Sequence, residues 1–274
     1  MSKSPNFPIL EFDLNRTALI EPDKIIAQQK TLGSPDFAQT NLPTAVVLCF
    51  FQDVIEQVVR EHGGREVARL RSEIGINPIY EINFQGQSVA LVHPGVGAPL
   101  AAAFLEELIA LGCRYFMAAG GAGALVPNLT LGQIIVPTAA IRDEGTSYHY
   151  LPPGREIAVD PRALTAINKV LSAHNLSFVA GKTWTTDAIY RETRRQVEAR
   201  VAEGCLTVEM ETAACLAVAA FRGVLFGQLL YAGDDLSGAD WDDRNWLTYA
   251  SGRERLFWLA AEVVLSLRAA NPDQ

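Results

Sequence analysis

Apolar runs alternate with segments of helical periodicity along the chain from residue 44 onward. Residues 45–51 form a continuous apolar run, which is typical of a strand buried on both faces of a sheet. Further runs rich in apolar residues predict strands at 79–84, 88–93, 115–119, 133–137, 178–184, 206–208 and 224–230. The alternation predicts an α/β core with a mixed sheet.

Helical spacing of apolar residues fills the intervals between several of these strands. Asp160 and Pro161 place an N-cap residue before a proline, the usual opening of a helix, and this helix is predicted to reach His174. The turn Gln85-Gly86-Gln87 separates two predicted strands and favours a hairpin. The other predicted helices span 99–111, 212–221 and 253–267.

Residues 1–43 follow neither pattern. Their prolines at 5, 8, 22, 35 and 43 favour an extended segment with one short helix at most. No stretch of linker composition divides the rest of the chain, and no fixed-period repeat is visible. We therefore predict an N-terminal arm at 1–43, lying across another surface, and one α/β domain at 44–274.

Charge and hydropathy exclude several classes of partner. The chain has 23 Lys and Arg residues against 31 Asp and Glu residues, a formal net charge of −8, without a basic block. It therefore lacks the counterion release and the attraction that drive binding to nucleic acids and anionic membranes. Its longest uncharged apolar stretch, 213–221, is shorter than the ~20 residues of a membrane span. We expect neither a nucleic acid nor a membrane as partner.

The first residues lack the apolar run and small-residue cleavage site of a secretion signal, so we expect a cytoplasmic protein. Its cysteines lie in apolar runs and lack C-x-x-C spacing. This arrangement favours buried thiols over disulfides or a metal site. They are Cys49, Cys113, Cys205 and Cys215.

Glycines follow the predicted strand at 115–119. In the sequence Gly-Gly-Ala-Gly-Ala at 120–124, Gly120 and Gly121 would let backbone groups approach a phosphate or a ribose. A tight bend between strands is the alternative, since small residues alone suffice for it. The third glycine of the dinucleotide-binding fingerprint is missing, which disfavours a Rossmann site.

Carboxylates follow two other predicted strands. Glu209, Met210 and Glu211 lie where a strand passes into a helix, so their acidic groups either complement the helix dipole or bind a ligand. Asp234 follows the strand at 224–230, where partial desolvation suits a general acid. An Asx turn closing that strand is the alternative for Asp234.

An apolar and an aromatic residue, Ile189 and Tyr190, come shortly after the strand at 178–184. Such a pair could stack against a flat base, but taken alone it favours ordinary core packing.

Taken together, these stretches resemble the nucleoside phosphorylase family, which includes uridine phosphorylase, hexameric bacterial purine nucleoside phosphorylase and the methylthioadenosine/adenosylhomocysteine nucleosidases. The segments that carry the resemblance occur in the family's order, at 95–99, 120–124, 131–137, 142–149, 186–190 and 208–213. The resemblance implies a single-domain three-layer α/β/α fold with a central mixed, partly barrel-like sheet.

It also implies roles for the sugar-binding stretch. Glu211 would accept hydrogen bonds from the ribose hydroxyls, Met210 would pack against the sugar, and Glu209 would line the site. A carboxylate there stabilises the oxocarbenium-like ribosyl cation through which the glycosidic bond breaks. Glu211 is therefore a catalytic candidate.

For the base, the resemblance makes Asp234 the second catalytic candidate, because purine-cleaving relatives place an aspartate there to protonate or hydrogen-bond N7. Ile189 and Tyr190 match the wall beside the base. Arg195 lies near the position of the uracil-binding arginine of uridine phosphorylases, so a pyrimidine stays open as the alternative to the purine.

The chain departs from the family around the nucleophile. Phosphorolytic relatives carry Gly-Asp-Pro-x-Arg after the first strand, where this chain has Phe-Phe-Gln-Asp-Val-Ile at 50–55. They also carry an arginine and a serine or threonine as phosphate ligands, at positions that are Ala118 and Gly121 here. Arg71 matches an arginine that a neighbouring subunit contributes. The implied phosphate pocket thus keeps Gly120, Gly121 and Arg71 but loses two arginines, and such charge-assisted contacts are the strong ones.

These departures leave two reactions. Phosphorolysis, with inorganic phosphate as co-substrate and no cofactor or metal, is our preferred prediction. If water attacks instead, Gln52 or Asp53 would orient it. A nucleoside-binding protein without catalysis is a third hypothesis. The resemblance also implies a small-molecule nucleoside as substrate, and a homodimer or homohexamer that shares sites between subunits.

Overall fold

The computed structural model describes residues 7–32, 34–37 and 42–273. These residues form a mixed sheet and the helices that cover it. The strands are β1 (Ala45–Cys49), β2 (Arg65–Ser72), β3 (Gly75–Phe84), β4 (Gln87–Val92), β5 (Tyr115–Ala124), β6 (Ile134–Asp143), β7 (Glu156–Ala158), β8 (Phe178–Thr186), β9 (Cys205–Glu209) and β10 (Leu225–Asp235). The helices are α1 (Pro22–Thr31), α2 (Gln52–Glu61), α3 (Ala98–Ala110), α4 (Pro161–Ala173), α5 (Arg194–Ala202), α6 (Thr212–Arg222) and α7 (Ala250–Ala270).

Strand β5 is the junction of the sheet. It pairs in parallel with β1 and β10 and antiparallel with β9. Through β1 it continues into an open half in the order β1-β4-β3-β2, whereas the order β9-β8-β6-β10 returns to β5 and closes a five-stranded barrel. Strand β7 adds to β6 at the side. The predicted mixed, partly barrel-like sheet is confirmed.

The predicted core matches the buried residues. Every residue of β1 is buried, as its continuous apolar run predicts. Helix α7 packs against β5 and β1 and also contacts α4, while α3 and α6 pack on each other. These helices cover the sheet and complete the layered α/β fold.

Local signals were good guides to several boundaries. The carboxylate of Asp160 accepts a hydrogen bond of 2.8 Å from the backbone amide of Arg162 and caps α4 as predicted. The hairpin between β3 and β4 turns at Gln85 and Gly86, which both have positive φ angles. The strand at 65–72 and the helices at 52–61 and 194–202 were not predicted from the sequence.

The glycine-rich segment 120–124 does not form the tight bend that the sequence left open as an alternative. It is the second half of β5, where the strand pairs with β10 and β9 together. A Cβ added to Gly120 would lie 3.1 Å from the Phe50 ring, and one added to Gly121 would lie 3.3 Å from the Tyr231 hydroxyl. Glycine here serves the close approach of aromatic rings to a continuous strand.

The described part of the predicted arm contains α1 and short 3₁₀ helices at Pro8–Leu10 and Pro35–Phe37. Helix α1 packs against α3 and buries Ile26. Residues 1–6, 33 and 38–41 of the arm, and residue 274 of the predicted domain, lie outside the described residues. The division at residue 43 stays a prediction. No helix in the described ranges has both the length and the apolar character needed to cross a membrane.

Candidate active site

A cavity of about 300 Å³ lies beside the carboxyl halves of β5, β9 and β10. These strands contribute residues 120–123, Glu209 and Asp234 to its wall. The loop before α3, the segment after β8 and the first turns of α7 complete the wall. The closed barrel thus brings together strand ends that are more than a hundred residues apart in the sequence.

Glu209 is a buried carboxylate that holds the start of α6. It accepts hydrogen bonds of 2.6 Å from the Thr185 hydroxyl, 2.8 Å from the Glu211 amide and 2.7 Å from the Thr212 amide. Burial raises the pKa of Glu209, and these hydrogen bonds oppose the rise. The hydrogen bonds from the Glu211 and Thr212 amides fix the backbone of the Glu-Met-Glu stretch around the Glu209 carboxylate.

Glu211 is held by a backbone donor from another loop. Its Oε1 accepts a 2.6 Å hydrogen bond from the backbone amide of Gly97, and the side chain is only 7% exposed. Burial, followed by the charge of Glu209, raises the pKa of Glu211 to about 8. Glu211 is therefore a buried carboxyl that changes charge close to neutral pH.

The loop that provides the Gly97 amide depends on two glycines. Gly95 and Gly97 have φ angles of 81° and 88°, a region that side chains disfavour. A Cβ on Gly95 would also come within 2.5 Å of Leu100. The Gly-x-Gly-x-Pro stretch therefore aims a backbone donor at Glu211 before α3 begins.

A second acidic pair lies on the cavity wall. Asp234 accepts a 2.7 Å hydrogen bond from the indole nitrogen of Trp241, which fixes one of its oxygens. Glu192 also lines the cavity, and burial, with a smaller contribution from the charge of Asp234, raises the pKa of Glu192 to about 7. Ile189 adds an apolar wall residue.

Another part of the wall is aromatic and carries a positive charge. The guanidinium of Arg253 lies 4.6 Å from the centroid of the Phe51 ring and forms an ion pair of 3.2 Å with Asp53. The Tyr231 ring lies 5.8 Å from the same Phe51 ring. Three elements, β1 with its following loop, β10 and α7, thus meet at one side of the cavity.

Most predicted site residues line this cavity. They are Gly120, Gly121, Ile189, Glu209, Met210, Glu211 and Asp234. Each lies at a strand end or in the segment shortly after one, which is the pattern that predicted them.

The structure places the other candidates elsewhere. Tyr190 is 95% exposed in a short 3₁₀ helix, and Arg195 is exposed on α5. Gln52 and Asp53 lie on the exposed first turn of α2, outside the cavity wall. Arg71 pairs through its guanidinium with the buried Asp36 of the arm. Their roles in a site, including a neighbour's site for Arg71, stay predictions.

The wall also contains residues that were not predicted from the sequence, among them the polar and charged side chains of Glu192, Gln228, Tyr231 and Arg253. Gln228 lies inside the predicted strand and Tyr231 directly follows it. Within an apolar run, neither residue differs from an ordinary core position. Arg253 pairs with a residue 200 positions away, so no local pattern could indicate its place.

Comparisons with known proteins show the family to which the chain belongs. A family model for the phosphorylase superfamily matches residues 44–262. The chain is 30% identical to guanosine phosphorylase of Halorubrum lacusprofundi over 171 residues, which are 60% of this chain and 70% of that protein. It is 27% identical to uridine phosphorylase of Salmonella typhimurium over 164 residues, 55% of this chain and 65% of that protein.

Among solved structures, purine nucleoside phosphorylase of Toxoplasma gondii, in complex with immucillin-H, matches with a TM-score of 0.73. The identity is 21%, and the match covers 84% of this chain and 93% of that one. It supports the fold.

The family model spans well over half of the chain, so the protein belongs to the phosphorylase superfamily. The relatives that it matches in sequence are nucleoside phosphorylases. The family resemblance and the expectation of an enzyme are thereby confirmed.

Proposed function

We propose that this enzyme cleaves the N-glycosidic bond of a purine nucleoside by phosphorolysis, giving the free base and ribose 1-phosphate. The observation that carries the proposal is the position of Glu211, a buried carboxyl fixed by the Gly97 amide in the same cavity as Asp234.

Glu211 supplies the chemistry that the sugar requires. When ionised, its carboxylate accepts hydrogen bonds from the ribose hydroxyls and faces the positive charge that develops on the sugar as the bond breaks. Its surroundings are buried, and a charge of fixed position acts most strongly where water is excluded. Met210, next to it on the wall, offers an apolar contact for the sugar.

Asp234 supplies the chemistry that the leaving base requires. A purine leaves more readily when N7 is protonated or hydrogen-bonded, because negative charge then does not accumulate on the ring. The Trp241 indole holds one oxygen of Asp234, which restricts the orientation of the carboxyl group. The guanosine phosphorylase relative supports a purine, and the uridine phosphorylase relative makes a pyrimidine the alternative.

One observation favours hydrolysis as a second candidate. Among the described residues on the cavity wall, four are acidic and one is basic: Glu192, Glu209, Glu211, Asp234 and Arg253. Those carboxyl groups that are ionised repel a phosphate dianion but not a neutral water molecule. The attacking group therefore has to be identified by experiment.

The proposal is tested with a panel of guanosine, inosine, adenosine and uridine, each incubated with the enzyme and inorganic phosphate. Chromatography measures the free base. We expect purine nucleosides to be cleaved faster than uridine, and Glu211→Gln to release little base. No base from any nucleoside would contradict the proposal, and uridine as the best substrate would overturn the purine assignment.

A further inference from the structure

We infer that Arg253 and Tyr231 bind the inorganic phosphate that attacks the sugar. This inference rests on the proposed function, because it names the group that holds the nucleophile in the same cavity. It assigns the phosphate to a cation from α7 and a hydroxyl from β10.

Arg253 is the only positively charged residue of the described chain that lines the cavity. Its side chain is 11% exposed and lies against the Phe51 ring. A phosphate in this cavity therefore has one described cation within the wall to neutralise it. The guanidinium presents several N–H groups in one plane, a geometry that suits phosphate oxygens.

Asp53 holds this arginine in place. The two side chains form an ion pair of 3.2 Å, and Asp53 itself is half exposed at the start of α2. Solvent thus screens the aspartate more than it screens the arginine. The ion pair and the Phe51 ring together fix the guanidinium before any phosphate binds.

Tyr231 is an independent sign of a ligand. Its side chain is 1% exposed, and its hydroxyl has no hydrogen-bond partner among the described residues. A buried hydroxyl without a partner costs stability, so the native state needs another group to pair with it. Burial raises the pKa of Tyr231 to about 12, which keeps the hydroxyl protonated as a donor.

That hydroxyl points at the wall of the nucleoside cavity. A Cβ on Gly121 would lie 3.3 Å from the Tyr231 oxygen, and Gly121 lines this cavity. Because residue 121 has no side chain, no Cβ fills the space beside this hydroxyl. The Tyr231 and Arg253 side chains both contact the Phe51 ring and line the same cavity, and the positive charge of Arg253 opposes the rise in the pKa of Tyr231. We therefore assign one phosphate to both groups.

The step balances in atoms and electrons. An oxygen of hydrogen phosphate forms a bond to C1′ of the sugar, and the C1′–N bond breaks with its electron pair passing to the base. The leaving base takes up one proton at nitrogen. Hydrogen phosphate loses one proton when it becomes ribose 1-phosphate, so the number of protons does not change. Arg253 and Tyr231 stabilise the phosphate, and neither forms a covalent bond.

The first test measures the phosphate dependence of base release at saturating nucleoside. We expect Arg253→Ala to raise the KM for phosphate by about 30-fold, and Tyr231→Phe by about 10-fold, as lost hydrogen bonds to a charged group do. The KM for the nucleoside should change by less than about threefold, because neither residue is assigned to it. Arg253→Lys should fall between the parent and Arg253→Ala.

Two variants serve as matched controls. Arg255→Ala removes another cation from α7 outside the nucleoside cavity, and Tyr249→Phe removes a hydroxyl from the ring beside Tyr231. Both should keep the parent KM for phosphate. Since Tyr231→Phe keeps the ring and its packing, it tests the inference even if Arg253→Ala does not fold.

The second test is calorimetric titration of inorganic phosphate into the enzyme without nucleoside. Binding that is lost in Arg253→Ala and weakened in Tyr231→Phe supports the site even if no nucleoside is cleaved, so the two proposals fail separately. Equal phosphate binding or equal phosphate KM in the parent, Arg253→Lys and Tyr231→Phe overturns the inference. Free ribose formed at a rate independent of phosphate contradicts the proposed phosphorolysis, and the calorimetric titration then decides separately whether Arg253 and Tyr231 bind phosphate.

Discussion

Glu211 and Gly97 lie 114 residues apart in the sequence and are joined by a 2.6 Å hydrogen bond from the Gly97 amide to the carboxylate. The bond connects the loop before α3 to the start of α6, and these two helices also pack on each other. The position of the Glu211 carboxylate therefore depends on a backbone donor from a distant loop.

Glu211→Gln should abolish most activity without unfolding the protein. The amide oxygen of glutamine still accepts the Gly97 hydrogen bond, but the negative charge that faces the ribosyl cation is lost. We expect kcat to fall by about 10² to 10³, the usual loss for a preorganised electrostatic group. Steady-state kinetics and circular dichroism measure the two effects. A variant with the parent rate would remove Glu211 from the mechanism.

Activity should rise with pH through about 8, the value to which burial and Glu209 raise the pKa of Glu211. Only the ionised carboxylate accepts hydrogen bonds with both oxygens, so kcat/KM for the nucleoside, measured at saturating phosphate, follows its ionisation. Glu209→Gln removes the neighbouring charge and should move this limb to lower pH. A limb that stays in place in Glu209→Gln would show that the titrating group is elsewhere.

Stability should change in the opposite direction. The folded protein holds the Glu211 proton more tightly than the unfolded chain does, so the contribution of this group to stability falls as pH rises from about 4.5 to about 8. Glu211→Gln has no such loss. The difference in melting temperature between Glu211→Gln and the parent should therefore shift in favour of the variant as pH rises over this range. Thermal unfolding of both proteins at several pH values measures this difference.

Gly97→Ala should impair catalysis more than its effect on folding explains. A side chain disfavours the φ angle of 88° at this position and would shift the amide away from Glu211. Gly86→Ala is a matched control, because Gly86 also has a positive φ but lies in the hairpin turn outside the cavity. We expect both variants to lose stability and only Gly97→Ala to lose kcat/KM. Equal kinetic losses would contradict this role for the loop.

Asp234→Asn should slow purine nucleosides far more than a nitrophenyl riboside, whose leaving group needs no proton. The comparison separates acid catalysis from binding, because the sugar is the same in both substrates. Rates for the two substrate types are measured side by side in parent and variant. If both fall equally, Asp234 serves the sugar or the structure, and the purine assignment loses its main support.

The sequence predicted those parts of the site that depend on one short segment. Glu209 and Glu211 follow a recognisable strand and precede a helix, and Asp234 ends an apolar run. Such local order is readable because strand ends in α/β sheets collect at one edge. The hairpin of β3 and β4 was predictable because its two strands and its glycine-containing turn are adjacent in the sequence.

The remaining parts depend on contacts between distant segments. Residues 120–124 read as a turn because of their glycines, but pairing with β9 and β10 makes them a strand. The pairing of Arg253 with Asp53 and the orphan hydroxyl of Tyr231 exist only after the barrel closes and α7 packs on β5. The periodicity of apolar residues along the chain does not indicate these contacts between distant segments.

The most direct test of the central claim is the identity of the sugar product. Guanosine or inosine is incubated with the enzyme in inorganic phosphate and in a phosphate-free buffer, and the sugar is identified by phosphorus and proton NMR. The account predicts ribose 1-phosphate in amounts equal to the free base, with little base released when phosphate is absent. Free ribose, formed at the same rate with and without phosphate, would contradict phosphorolysis and identify water as the nucleophile.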